Sequence, residues 1–385
     1  MIRAVRTVPF LPLGGLFEQD DIDACQRVMA NATLPEGGFF PLPEEEQFQT
    51  AFARHEGAKK CVAVNSCGTA LDLCMMALNI GPRDEVIVPP LTFVCTATCV
   101  TARGAKVVFA DIDPRTLCLD PEAVEAKITA RTKAIIPVHF AGFACDIGAF
   151  EALSRKYHVA TVYDAAHAVG AKYQGQPIGG AGKASCYSFQ SNKNITTLGE
   201  GGAVTSTDEA LAEVIRQKKT FGYVYGSPLR VVTVGFNYRL TKLQLAVGLT
   251  QLAKAERIIS LRRERFLRMQ ELLGDVEELI LPAGIGAAHA CHLYVVRLDT
   301  RKVSFSRDAL VKELKEHFGV QTSLHYPAVW SWEAFRSIDH DRANCANAER
   351  ACKEVISLPI FPRTPLEDLE YIKESLAGAI QALRN

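Results

Sequence analysis

The chain has 385 residues and carries 43 Lys plus Arg against 43 Asp plus Glu, so its formal net charge is zero. Its 48% hydrophobic and 22% charged residues exclude wholesale disorder, and the length excludes a small metal- or disulfide-stapled scaffold and suits two domains or one large domain with an appendage. A balanced charge offers no overall field for nucleic acid or an anionic membrane, so any anion site must be local.

The opening MIRAVRTVPFLPLGG has two arginines but no apolar stretch leading to a cleavage site. Apolar runs such as Val86 to Leu91 are far shorter than the roughly 20 residues of a membrane-spanning helix. A cytoplasmic protein is expected. Twelve cysteines are scattered between Cys25 and Cys352 without a CxxC pair, which reads as reduced, mostly buried thiols and no metal site. Residues 30–47 are rich in Gly, Pro and Glu and read as an irregular loop before a helix, long enough to border a site.

From about residue 57, short β-branched runs alternate with helical patterns. KKCVAVNS precedes a helix through Leu78, DEVIVPP precedes Phe93 to Arg103, and AKVVFADID precedes Pro121 to Ala130. KAIIPVHF then precedes Asp146 to Tyr157, and VATVYDAAH follows. Runs apolar on both faces predict a mainly parallel sheet between helices, with ligands held at the carboxyl ends of its strands. Helical spacing from Thr241 to Gly274 predicts one long helix or two abutting ones. Beyond it HLYVVRL, a helix over Arg307 to His317, VQTSLHY and helices near Asn347 to Val355 and Pro365 to Leu383 predict a smaller α+β domain. The expected division is an N-terminal segment at 1–56, a large α/β domain at 57–250, and a linking helix with the small domain at 251–385.

Chemistry concentrates at four places. In SCYSFQSNKNITTLGEGGAV, Lys193 lies between a strand and tight turns, where partial desolvation lowers a lysine's pKa and favours imine formation; a solvated surface lysine is the bland alternative. Asp164 ends the run VATVY, 29 residues earlier, with His167 three residues on. A carboxylate there either caps a helix or pairs with a pyridinium nitrogen, and with Lys193 it suggests pyridoxal phosphate. Asn65 to Leu71, NSCGTAL, opens a helix whose Gly68 and Thr69 suit a phosphate at the positive end of the dipole. Neither a Walker motif nor GxGxxG is present, which argues against a nucleoside triphosphate or a dinucleotide. Phe93, in PPLTF, is placed either to stack on a planar ring or to join the core.

These elements, together with GFNYRLTKLQLAVGLTQL from Gly235, resemble the DegT-type (DegT/StrS) sugar aminotransferases over nearly the whole chain. The resemblance implies a fold-type-I pyridoxal-phosphate transferase with a seven-stranded, mainly parallel sheet and a smaller C-terminal domain. It implies that Lys193 forms the covalent imine and then moves the proton, that Asp164 binds the ring nitrogen, and that His167 lies near the phenolic oxygen. Phe93 would stack on the ring. Gly68, Thr69 and Ser188 would hold the phosphate, joined by Asn237 from the second chain of a homodimer. Arg239, His325 and Tyr326 are candidates for substrate contact, with Trp330, Trp332, the loop 36–43 and the strand 292–297 as further candidate lining of the sugar site. Two departures, Tyr163 before the aspartate and Cys67 before Gly68, remove no group the chemistry needs. An intact Lys193, where some relatives that deoxygenate sugars have histidine, favours transamination. The expected reaction moves an amino group from L-glutamate or glutamine to a keto sugar, most often nucleotide-linked, by a ping-pong route. A ketocyclitol or aromatic natural-product precursor as acceptor, a lyase or dehydratase on the same scaffold, and a regulatory protein without turnover are the alternatives.

Overall fold

The computed structural model describes residues 6–384 apart from 225, 227, 285, 287 and 288. Its main sheet has eight strands in the order Lys60–Val64, Gly202–Ser206, Ala184–Ser188, Ala160–Asp164, Thr132–Ile135, Glu85–Val88, Lys106–Phe109 and His340–Asp341. All neighbours are parallel except at Gly202–Ser206, which runs antiparallel to both of its partners. Strands such as EVIV and ASCYS are buried along their whole length, as a sheet covered on both faces requires. The seven longer strands form the expected sheet. The eighth is a two-residue edge strand from the C-terminal part of the chain, so that part is not confined to its own sheet.

The predicted helix at Pro121–Ala130 is only Pro121–Glu125. Thr129 and Thr132 close a turn on each other, with the Thr129 amide donating to the Thr132 hydroxyl at 2.9 Å, and this turn replaces the second half of the helix. The long stretch after Thr241 is two abutting helices, Lys242–Ala253 and Ala255–Leu273. At the break, the Lys254 ammonium is pulled to Asp20 at 2.7 Å and Asp21 at 2.5 Å in the first helix, Gln19–Ala32.

A second core forms around the antiparallel strands Leu279–Ile280, Tyr294–Leu298 and Val355–Leu358. The helices Arg307–Phe318 and Leu366–Arg384 cover it with Leu310, Leu314, Leu369 and Ile372. Val8 also belongs here, bridged to Val320, so the N-terminal segment begins in the smaller core before it crosses to the larger.

The larger core meets the site through an aromatic cluster. Phe52, on the helix Glu44–His55, stacks on Phe48 and meets Tyr187 and Phe189 edge-on, each at 5.1 Å. Phe189 directly follows the strand that leads to Lys193. Phe52→Ala is therefore expected to destabilise the fold by about 3–5 kcal/mol, read as a lower urea midpoint at unchanged slope.

Candidate active site

The helix Cys67–Ala77 starts at the carboxyl end of the first strand with Ser66 as N-cap. The Ser66 hydroxyl accepts from the Thr69 amide at 3.1 Å, and the Thr69 hydroxyl accepts from the Ser66 amide at 3.1 Å while donating to the Asn65 side chain at 2.7 Å. This reciprocal cap fixes the first turn, whose leading amides have no acceptor inside the helix and carry the positive end of the dipole. Gly202 lets the antiparallel strand press against this turn, for a Cβ there would lie 2.5 Å from the Ser66 carbonyl carbon.

Asp164 closes the strand Ala160–Asp164 and is 3% exposed. One carboxylate oxygen accepts from the Thr96 hydroxyl at 2.8 Å and the other from the Ala166 amide at 3.0 Å, with the Cys67 thiol 3.9 Å away. Thr92 in turn shares a 2.8 Å hydrogen bond with Thr96. Burial pushes the carboxyl pKa upward, against these donors and the charge of Lys193. Among the described residues no cation lies within ion-pair distance of Asp164.

Lys193 sits in the turn after the strand Ala184–Ser188, its amide donating to Gln190 at 2.9 Å. Burial lowers its pKa, opposed by Cys67, Asp164 and Cys95 and assisted by Arg262. Three imidazoles stand around it. His167 pairs through Nε2 with the Tyr326 hydroxyl at 3.1 Å, and its ring centre is 4.6 Å from that of His292. His292 Nδ1 meets Asn194 at 3.2 Å, and His325 Nδ1 meets Ser357 at 2.8 Å. Burial above all, with Lys193 adding to it, depresses all three, His325 to about 4, so each is neutral at pH 7.

A pocket of about 440 Å³ brings together Gly68, Phe93, Asp164, His167, Ser188, Lys193, His325 and Tyr326. Phe93 is 54% exposed, just ahead of the helix Cys95–Thr101, with a free face toward the pocket edge beside Tyr326. Thr69 is not in the pocket wall, and its hydroxyl is engaged in the cap. Asn237 and Arg239 are also outside it: Asn237 is exposed and accepts from the Arg239 guanidinium at 2.9 Å, which lies over Phe221. Trp330 packs into the core against Phe109, and Trp332 is exposed. A larger groove of about 610 Å³ next to the strand Lys60–Val64 holds none of these groups.

Several residues of this site were not singled out from the sequence. Thr92 and Thr96 stand four apart in LTFVCTAT, and become informative only once Phe93 is placed at the pocket. Asn194 was not singled out either; it meets His292, the first residue of the candidate strand 292–297, across 98 residues, and no local pattern announces such a pair.

With this geometry in place, the comparisons with known proteins are decisive. The sequence model of the DegT/DnrJ/EryC1/StrS aminotransferase family matches residues 18–377. The chain belongs to this family. It is a pyridoxal-phosphate-dependent aminotransferase. It is 37% identical over 361 residues to the spore coat polysaccharide biosynthesis protein SpsC of Bacillus subtilis, covering 91% of this chain and 92% of that one. Among solved structures, Helicobacter pylori PseC, an aminotransferase of pseudaminic acid biosynthesis, superposes with a TM-score of 0.89 at 27% identity, covering 97% of this chain and all of the other. S. venezuelae DesV, solved with a ketimine intermediate, gives 0.85 at 32% identity, covering 93% and 94%.

The buried imidazoles also make stability depend on pH. Burial lowers His139 and His289 to about 3, below the unfolded value of roughly 6.5. The unfolded chain therefore binds more protons between those values, and stability present above pH 6.5 is lost as pH falls toward 3. Urea melts from pH 7.5 to 5 are expected to show a falling midpoint, with about 1 kcal/mol per pH unit from each such histidine below 6.5.

Proposed function

We propose that the enzyme moves the amino group of L-glutamate, or of glutamine, to a keto sugar, a nucleotide-linked keto-deoxysugar, in a two-stage exchange within a homodimer. The observation that carries this reading is the meeting of Lys193 and Asp164 in one pocket, walled by neutral imidazoles and floored by a helix N-terminus. The sugar acceptor is supported by the relatives named for polysaccharide and pseudaminic acid biosynthesis. Twelve cysteines without a disulfide are in keeping with a cytoplasmic setting.

The residues fit pyridoxal phosphate. A buried carboxylate without a cation suits a protonated ring nitrogen, His167 Nδ1 is buried without a hydrogen-bond partner, and the first-turn amides with Ser188 suit a phosphate. When bound, the group supplies an aldehyde that condenses with amines and a ring that draws electrons from the carbon bonded to that nitrogen. Thr96 and the Ala166 amide hold Asp164 so that its charge keeps a proton on the ring nitrogen. Lys193 would anchor the group and, as a free amine, would take the proton from the donor's α-carbon. Its lowered pKa leaves part of it neutral for that step. Phe93 covers one face, and Tyr326 holds the His167 ring in a single orientation.

The dimer is supported by an apolar strip on this chain. Leu229, Val231, Val232, Val234 and Phe236 are exposed directly before Asn237, and Val234 is 77% exposed. In the proposed assembly this strip is covered, and Asn237 and Arg239 reach the partner's pocket, Asn237 to the phosphate and Arg239 to an anionic group of the substrate.

The first test is the absorption spectrum with pyridoxal phosphate, titrated with L-glutamate and then with nucleotide-linked keto sugars. A yellow band that bleaches with glutamate and returns with the sugar is expected; a band indifferent to every amino acid overturns the reading in favour of a lyase. Lys193→Ala should lower transfer by about 10²–10⁴-fold or more while circular dichroism stays unchanged. Mixed dimers of Lys193→Ala and Asn237→Ala chains should regain one working site, because both defects then fall in the other. Inactive mixtures would show that Asn237 does not act across the interface.

A further inference from the structure

Arg262, on the helix Ala255–Leu273, is fully buried and has no carboxylate partner among the described residues. Its guanidinium donates instead to three backbone carbonyls: His292 at 2.9 Å, Gly14 at 2.9 Å and Ile360 at 3.4 Å, while its carbon lies 5.7 Å from the centre of the Phe361 ring. A guanidinium has donors enough to tie several carbonyls at once, but leaving its charge in the interior is costly. An arginine in this setting calls for an explanation beyond packing.

The Gly14 carbonyl is the telling partner. The Gly14 amide donates to the Ser191 carbonyl at 2.9 Å, so Gly14 links Arg262 directly to the turn that bears Lys193. The fit is close: a Cβ on Gly14 would lie 2.1 Å from the Asn192 carbonyl oxygen and 2.3 Å from that of Lys193. At its other end, the guanidinium holds the backbone of His292, one of the imidazoles around the same lysine.

We propose that Arg262 is a positioning residue for Lys193: through Gly14 it fixes the Ser191–Lys193 turn, and through the His292 carbonyl it holds the wall beside that turn. The inference rests on the reading of Lys193 as the cofactor's anchor. Other groups face that amine from every side. Cys67 and Cys95 from two helix starts and Asp164 from its strand favour the ammonium, whereas burial and Arg262 oppose it; His167, His292 and His325 complete the surroundings as neutral rings. Arg262 itself is lowered by burial only to about 9 and stays cationic at pH 7.

The test uses the protein without cofactor. Lys193 is acetylated with trace acetic anhydride across a pH series, and its peptide is followed by mass spectrometry; pyridoxal phosphate uptake is read separately by borohydride trapping on the same peptide. Arg262→Met should slow trapping at pH 7 by roughly tenfold and move the Lys193 acetylation midpoint upward, and Arg262→Lys should restore much of both by returning the donors and the charge. Trapping at the wild-type rate in folded Arg262→Met overturns the proposal. If that variant does not fold, Gly14→Ala decides: its methyl group should displace the turn and slow trapping, and trapping at the wild-type rate overturns the proposal. Failure to trap pyridoxal phosphate on Lys193 in the wild-type chain would instead contradict the anchoring role itself.

Discussion

A carboxylate buried at Asp164 without a cation in contact is the feature on which the site depends. Such a charge is costly in a low-dielectric interior, and among the described residues only neutral donors meet it, the Thr96 hydroxyl, the Ala166 amide and the more distant Cys67 thiol. The fold makes this tolerable by fixing its backbone. Asp164 lies between two parallel neighbours in the sheet, its carbonyl accepting from the His139 amide at 3.0 Å and its own amide donating to Pro137 at 2.9 Å. In the proposed reading, the carboxylate has as its partner a cationic nitrogen that arrives from outside the chain. Its raised pKa measures how poorly the protein alone satisfies it.

The remaining walls are tied to this point from both halves of the molecule. The segment bearing His325 and Tyr326 exchanges backbone hydrogen bonds between Ser323 and Ser357 at the smaller sheet, and its Val329 amide donates to Pro90 at the larger one. Anchored at both ends, it brings the Tyr326 hydroxyl to His167. The Thr92 to Thr96 to Asp164 chain of hydrogen bonds does the same from the opposite side. Preorganisation of this kind leaves little for the groups to rearrange when charge shifts during the reaction.

Much of this was legible in the sequence wherever chemistry and local conformation share one segment. NSCGTAL holds the Ser66 cap and the start of its helix within seven residues, and VYDAAHA and QSNKN place Asp164, His167 and Lys193 at or just beyond the ends of strands whose β-branched runs are unmistakable. The α/β alternation was legible for the same reason. The illegible parts are pairings at long separation. Thr96 meets Asp164 across 68 residues, and Arg262 meets Gly14 across 248. His340–Asp341 joins the edge of the large sheet with only two residues, too short a run to carry a periodic signal. Asn237 differs again: its sequence context resembles that of a phosphate ligand, yet within one chain it is an exposed side chain bonded to Arg239.

The neutrality of the three imidazoles bears on how the proton is kept in place. In the proposed reaction, a histidine with an ordinary pKa beside Lys193 would compete for the proton taken from the donor's α-carbon and let it exchange with solvent before the second stage. Here His167, His292 and His325 are all held well below their usual range, and Tyr326 and Cys67 are pushed above theirs, so none of them accepts or releases a proton readily near pH 7. Lys193 is left as the amine with a pKa moved toward neutrality and a place in the pocket wall. Burial thus does two things at once in this pocket: it lowers the lysine's pKa, and it keeps the neighbouring imidazoles neutral, as the proposed proton transfer by Lys193 requires.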